Sequence, residues 1–434
     1  MNTATPALDP DDASQLSDAL LDARKWTLAL YGHLIPLQLQ VPYLRIINPP
    51  LWEIGHVGWF QEYWCLRQGP GGMLLPSRLK QADSLYNSSL VTHADRWSLP
   101  LPTRDELMHY LDSVLHNTLA ALDRSTPDER YFFRLALLHE DMHTEAMLMT
   151  LQTLGYPAPV LTPTRQPPFA AEPAEQDIWL AGGEFAIGSP ADQGFAFDNE
   201  MRAHTVTLPG FSLSSATVTN QDFAGFVDAG GYRAREFWSD AGWQWREKQR
   251  AEHPLYWQKD SGHWLMRRFD QWLKLPAEEP VMHVNYHEAE AWCRWAGRRL
   301  PGETEWEYAA RAGHPDGGDR YPWGKALLPT GLASLDNIFS GPVQASALTC
   351  ADTPTGLQQM IGNVWEWTSS PFTPYPGFIP GPYRDYSEPW FHTHQAMRGG
   401  SFCTRSRLVH NRFRNFYMPD RNDMFVGFRS CHLL

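Results

Sequence analysis

The sequence predicts an α+β protein of two domains, a four-helix bundle followed by a mixed domain with little regular secondary structure. Three observations carry that prediction. At 434 residues the chain exceeds what one hydrophobic core ordinarily serves. Apolar residues recur at helical spacing through residues 1–154 and then lose that period. Between the two patterns lies a stretch rich in proline and alanine, residues 155–175, in which Pro157, Pro159, Pro163, Pro167, Pro168 and Pro173 exclude both a helix and a central strand. The expected organisation is therefore 1–154, a linker at 155–175, and 176–434.

The first helix runs from Ala13 to Leu34. Pro49 and Pro50 then open a second over Leu51 to Arg67, because proline lacks only an N–H that the first turn leaves unbonded anyway. Thr103 with Glu106, and Thr126 with Glu129, have the spacing of capping boxes and begin two more helices. Beyond the linker, Thr205 to Leu208 alternates as a strand, while Asn220 to Val227, His287 to Trp295 and Glu303 to Ala312 read as short helices among loops.

Composition narrows the function. Hydrophobic residues are 43%, charged residues 20% and the formal net charge is -13, which fits a globular chain and disfavours one that coats nucleic acid through its phosphates. No apolar run approaches the roughly 20 residues that span a bilayer, and MNTATPALDPDDASQL has neither the basic nor the apolar region of a secretory signal. Cys65, Cys293, Cys350, Cys403 and Cys431 are too scattered for a disulfide framework or a CxxC zinc site, so the expected compartment is the cytoplasm. The many rings, 19 Trp, 16 Tyr and 21 Phe, are first of all packing material.

The chemistry concentrates on histidine. His139 and His143 lie in LALLHEDMHTEAML, and their i, i+4 spacing puts both imidazoles on one helix face about 6 Å apart, suitable for one metal. His56, in PPLWEIGHVGWFQEYW on the second helix, supplies a third ligand if the bundle brings those faces together. Three neutral imidazoles suit iron(II), with positions left over for substrate and dioxygen, and zinc accepts the same set. Glu140 makes the segment a literal HExxH match, so a zinc hydrolase is the rival reading. Gly55 and Gly58 allow close approach of a helix or a substrate, and Glu62, Glu140 and Glu145 are candidates to brace the ligands. The pairs His283 with His287 and His392 with His394 lack a third ligand nearby in sequence.

These residues carry a family resemblance. GHVGWFQEYW and the histidine pair resemble the DinB-type helical domain of the sulfoxide synthases that make ergothioneine. GGEFAIG at 182–188, LPGETEWEYAAR at 300–311, GNVWEWTS at 362–369 and RGGS at 398–401 resemble the formylglycine-generating enzymes, whose domain is C-type-lectin-like. The resemblance implies that His56, His139 and His143 bind non-haem Fe(II) and that oxygen is used to couple a chalcogen donor to the imidazole of hercynine, with the C-terminal domain completing the active site. It further implies substrate contacts at Asn415, Phe416, Tyr417 and Arg421, and a proton-donating tyrosine near the iron among Tyr375, Tyr383 and Tyr386, with Tyr383 the first candidate and Tyr375 the second.

The chain departs from the usual family pattern at its substrate positions. Met142 stands where the HExQH form has a glutamine, and methionine cannot reproduce an amide's hydrogen bonds. Arg96 is the one arginine between Ser84 and Pro102, a poor match for the two carboxylates of gamma-glutamylcysteine. Tyr417 replaces an acidic residue that would hold an amine. The resemblance is therefore strongest to the selenoneine synthase branch, which joins hercynine to a selenosugar. The ergothioneine-pathway branch, using gamma-glutamylcysteine or cysteine, is the alternative. A copper-dependent formylglycine-generating activity is disfavoured because Cys403 has no cysteine near it in sequence. A non-catalytic binding module is disfavoured by the convergence of three metal-type histidines, and the oligomeric state stays open.

Overall fold

The computed structural model describes residues 12–161, 165–166, 176–190, 194–312, 320–324 and 331–433. The start of the chain, read above for a signal, and most of the expected linker, including Pro163, Pro167, Pro168 and Pro173, lie outside them. The chain divides into two compact units between Leu161 and Thr162.

The first unit contains α1 (Ala13–Gly32), α2 (Pro50–Leu66), α3 (Ala82–Tyr86), α4 (Arg104–Leu122) and α5 (Arg130–Leu154). The buried residues of α1, among them Leu16, Leu20, Ala23, Thr27 and Leu30, keep the 3–4 spacing of one face. Leu16, Leu20 and Ala23 meet Leu115, Leu122, Phe133 and Leu137 of α4 and α5. Helix α2 packs on α4 and α5 and is buried continuously from Trp52 to Glu62, so it is the central helix of the unit. Thr103 caps α4 as expected, with Glu106 accepting from its N–H at 2.8 Å. Glu129 does the same for Thr126, but residues 127–129 form a turn and α5 starts at Arg130. Gly155 ends α5 at φ 66°, the left-handed conformation that glycine adopts without a Cβ clash.

The second unit is mixed. Its strands are β1 (Asp177–Leu180), β2 (Gly183–Ile187), β3 (His204–Leu208), β4 (Phe211–Ser214), β5 (Trp257–Asp260), β6 (His263–Arg268), β7 (Gln271–Lys274), β8 (Arg298–Arg299), β9 (Trp365–Pro371), β10 (Gln395–Arg398), β11 (Asn415–Tyr417), β12 (Val426–Gly427) and β13 (Cys431–His432). They form sheets ordered β1-β4-β13-β8 and β11-β10-β9-β12, the hairpin β2-β3 and the meander β5-β6-β7. Among the described residues four α-helices accompany them, α6 (Asn220–Asp228), α7 (Asp240–Gln249), α8 (Tyr286–Trp295) and α9 (Glu303–Arg311). Sequence periodicity found α6, α8 and α9 but not α7 or the meander.

Much of this unit's coherence is ionic. Arg398 and Arg414, both fully buried, converge on Glu303, and Arg398 also binds Glu307 at 2.7 Å. Arg429 holds Glu366, which also accepts from the Trp306 indole at 2.8 Å. The phrases LPGETEWEYAAR, GNVWEWTS and RGGS thus include the partners of one buried polar network, and each guanidinium there is matched by carboxylates and carbonyls.

His283, 2% exposed, is pushed down to about 3 by burial and then by the Arg267 charge. It is neutral when folded and titrates near 6.5 when unfolded, so its contribution is whole above that pH and is lost as the pH falls toward 3. Between pH 7 and pH 5 the unfolding free energy should fall by roughly 2 kcal/mol on this account. In His283→Gln, urea titrations at the two pH values should show that part of the acid loss removed.

Candidate metal centre

Helices α2 and α5 assemble the site. His56 comes from the buried middle of α2, and His139 and His143 from one face of α5, one turn apart. Their candidate ligand atoms all lie within 4.8 Å of one another. The Nε2 atoms of His56 and His139 are 3.2 Å apart, close to the roughly 3.0 Å expected of two imidazoles bound at right angles to one ion. Among the described residues no other group of three or more His, Cys, Asp or Glu converges in this way, and the pairs at 283/287 and 392/394 acquire no third ligand.

The tautomers follow from the partners. His56 Nδ1 lies 2.8 Å from the carbonyl of Tyr86, which can only accept, so Nδ1 carries the hydrogen and Nε2 presents a lone pair. His143 Nδ1 lies 2.6 Å from Glu53 Oε1 and donates in the same way, leaving its Nε2 for the cluster. Burial, and after it electrostatic repulsion between neighbouring imidazoles, holds the His56 and His139 imidazoles well below their usual range, which favours the neutral form a metal requires.

Aromatic rings fix the imidazole planes. Phe60 stacks on His139 with centroids 3.5 Å apart, and Trp52 stacks on His56 at 4.8 Å. The flanking glycines serve packing within this unit. A Cβ on Gly55 would fall 2.1 Å from the Tyr86 ring, and one on Gly58 would fall 3.0 Å from Leu111 and Tyr110. His56 and His139 are each 3% exposed whereas the His143 side chain is 20% exposed, so the cluster is most accessible beside His143.

Of the carboxylates that sequence proposed as braces, two are engaged elsewhere. Glu140 is clamped by Arg24, Nε to Oε1 at 2.8 Å and a second nitrogen to Oε2 at 3.1 Å, and accepts from Thr27 at 2.7 Å. Glu62 accepts from Tyr110 Oη at 2.7 Å and the Arg78 N–H at 2.7 Å. Glu145 is buried. A carboxylate that reaches a ligand is Glu53, which sequence reasoning missed. Its position three residues before His56, one helical turn away, was the available signal.

Arg96 and Met142 belong to the same unit as the histidines. The Arg96 guanidinium lies 3.8 Å over the Trp52 ring, on which His56 also stacks, and binds Asn48 at 2.7 Å. Met142, half-buried on α5, sits one turn after His139. The remaining candidates belong to the second unit. Asn415 opens β11 and its Oδ1 accepts from the Phe416 N–H at 2.8 Å, while Phe416 stacks on Phe372 at 4.0 Å. Arg421 lies 5.2 Å over the Tyr417 ring and is held by both oxygens of Asp423, at 2.5 and 2.7 Å. Tyr375 is buried, its ring 4.1 Å under Arg414 and its Oη 3.4 Å from Arg398, which makes it part of the ionic network. Tyr383 is half-buried beside Tyr386, which stacks on Phe197 at 4.2 Å.

Residues 163–432 match the Sulfatase-modifying factor enzyme 1-like domain. Over 428 residues the chain is 36% identical to the hercynine oxygenase of Mycolicibacterium thermoresistibile, a match covering 96% of this chain and 94% of that one. It is 37% identical over 423 residues to the hercynine oxygenase of Mycobacterium tuberculosis, covering 96% and 98%. A formylglycine-generating enzyme of Streptomyces coelicolor is 33% identical over 306 residues, covering 63% of this chain and 95% of that one.

The Arg24 clamp gives the HExxH match a structural meaning. Glu140→Ala would leave a buried guanidinium without its carboxylate, and should lower the unfolding free energy by about 3–5 kcal/mol. Urea denaturation measures it. A loss below about 1 kcal/mol, the size of a surface pair, would show that the clamp does not hold the helices.

Proposed function

The chain belongs to the hercynine oxygenase family and carries a Sulfatase-modifying factor enzyme 1-like domain, and from that premise we propose that it uses dioxygen to act on hercynine at an iron(II) ion held by His56, His139 and His143. The observation that carries this reading is the convergence of three imidazoles within 4.8 Å in the interior of the helical unit. That unit is read as a DinB-type bundle and the second as a C-type-lectin-like domain.

The residues divide the work. Tyr86 and Glu53 fix the His56 and His143 rings so that their Nε2 atoms face the centre. Trp52 and Phe60 cover ring faces and keep water from two of the three ligands. When bound, the iron supplies oxygen activation and open coordination positions. The arrangement differs from a zinc peptidase at the residue that matters most, because Glu140, which would be the general base, is tied to Arg24 and Thr27.

For the donor we read a selenosugar, giving a carbon–selenium bond to the hercynine imidazole. The balance is complete with dioxygen alone. The imidazole C–H and the Se–H are lost, one oxygen atom enters the selenoxide and the other leaves in water. Release of selenoneine is a separate step: the selenium–sugar bond breaks by elimination to leave a selenenic acid, and a thiol reductant supplies the two electrons that convert it to selenoneine, with loss of water. Support comes from Met142 and Tyr417 in place of polar and acidic groups, and from the two candidate cations, since Arg96 is stacked on Trp52 and Arg421 is already matched by Asp423. A donor with hydroxyls rather than carboxylates needs neither.

The test gives the anaerobically iron-loaded chain hercynine and oxygen with, separately, a selenosugar, the thiosugar, cysteine and gamma-glutamylcysteine, and identifies products by mass. The highest kcat/KM is expected with the selenosugar. A preference for gamma-glutamylcysteine would assign the chain to the ergothioneine-pathway branch. Failure to consume hercynine with any donor would overturn the reading as a whole.

A further inference from the structure

We propose that Glu53 is a positioning residue for the three-histidine centre, acting through His143 to set both the orientation of that ligand and the charge around the ion. The inference rests on the metal reading given above. Glu53 stands in the first turn of α2 and is 1% exposed, yet it reaches α5 and accepts from His143 Nδ1 at 2.6 Å. One helix therefore provides a ligand, His56, and the brace of a ligand on another helix.

The brace falls where it is needed. His56 is enclosed by Trp52 and by the carbonyl of Tyr86, and His139 by the stacked Phe60. His143 has the most exposed side chain of the three, and the carboxylate restrains its ring about the one nitrogen that does not face the centre.

The charge argument is independent of the geometry. Three neutral imidazoles bring nothing to offset a divalent ion in an interior this dry. Glu140 is neutralised by Arg24, and Glu62 is occupied by Tyr110, Ser77 and the Arg78 N–H. Glu53 is in direct hydrogen-bond contact with a ligand, and a carboxylate acceptor makes an imidazole a stronger donor than a carbonyl does. The nearby Tyr31, 2% exposed, adds no charge, because burial first and then the charges of Glu53 and Glu140 hold it as a neutral phenol.

Three variants of the full chain separate the two effects. Glu53→Gln keeps an acceptor of the same reach without the charge, Glu53→Asp keeps the charge one methylene short, and Glu53→Ala removes both. Dissociation constants for Fe(II), and for Co(II) as a spectroscopic probe, would be measured anaerobically by chelator competition, with circular dichroism of the apo forms as the control for folding. Glu53→Ala should lose roughly tenfold to a hundredfold in affinity. Glu53→Gln and Glu53→Asp should each fall between Ala and wild type, and the Co(II) ligand-field bands should shift in Gln, a change that mere packing would not produce. Wild-type affinity and spectrum in Glu53→Gln and wild-type affinity in Glu53→Ala would overturn the inference while leaving the metal reading intact. A wild-type chain that binds neither ion would overturn both, so the two failures are distinguishable.

Discussion

Pairs of a buried carboxylate with a buried guanidinium recur in both units of this protein, and they decide what several of the most recognisable stretches of the sequence do. Arg24 reaches from α1 to Glu140 on α5, binding Gln61 of α2 and the carbonyl of Leu111 on α4 with its other nitrogens. One guanidinium thereby ties together the four long helices. The turn of α5 that presents His139 is held in register with α2, which presents His56, because the next residue along the chain is clamped. In the second unit Glu303, Glu307 and Glu366 play the same part for Arg398, Arg414 and Arg429. Removing one partner of a pair this dry strands the other as an uncompensated buried charge, so breaking such a pair is costly.

The site is a consequence of that frame. Helix α2 is apolar or small on nearly every side, so it runs through the middle of its unit, and a histidine there is buried whatever it does. Two glycines make room around it for Tyr86, Tyr110 and Leu111. The carbonyl of Tyr86 then chooses the His56 tautomer, and Glu53 chooses that of His143. Each imidazole whose tautomer is set in this way turns its Nε2 inward, which is the chemistry that distinguishes a metal-ready cluster from three packed rings.

Sequence reading was strongest where a period or a spacing had a direct geometric meaning. The i, i+4 pair on α5, the Thr103 cap and the proline-opened α2 all translate one residue pattern into one local structure. It was weaker where an outcome depends on contacts between distant elements. Glu53 lies one turn before His56, which places it near the site, but that it braces His143 rather than His56 follows from the packing of α2 on α5. Glu140 looks like a catalytic partner because it adjoins His139, yet adjacent helical residues point about 100° apart, and its direction is toward Arg24. The meander β5-β6-β7 and α7 escaped because charged and aromatic residues fill them without a clean period. Two arginines close to RGGS in sequence are likewise committed to carboxylates, Arg414 fully buried against Glu303 and Arg405 lying 3.3 Å from Asp336.

The central claim is that three imidazoles, and no sulfur, hold one iron ion. X-ray absorption of the anaerobically iron-loaded protein tests it most directly, because it reports the ligands themselves rather than their effect on turnover. The account predicts a first shell of nitrogen and oxygen neighbours at roughly 2.1 Å, with outer-shell scattering that fits about three imidazole rings. A sulfur neighbour at roughly 2.3 Å, or outer-shell scattering from fewer than two imidazoles, would contradict it.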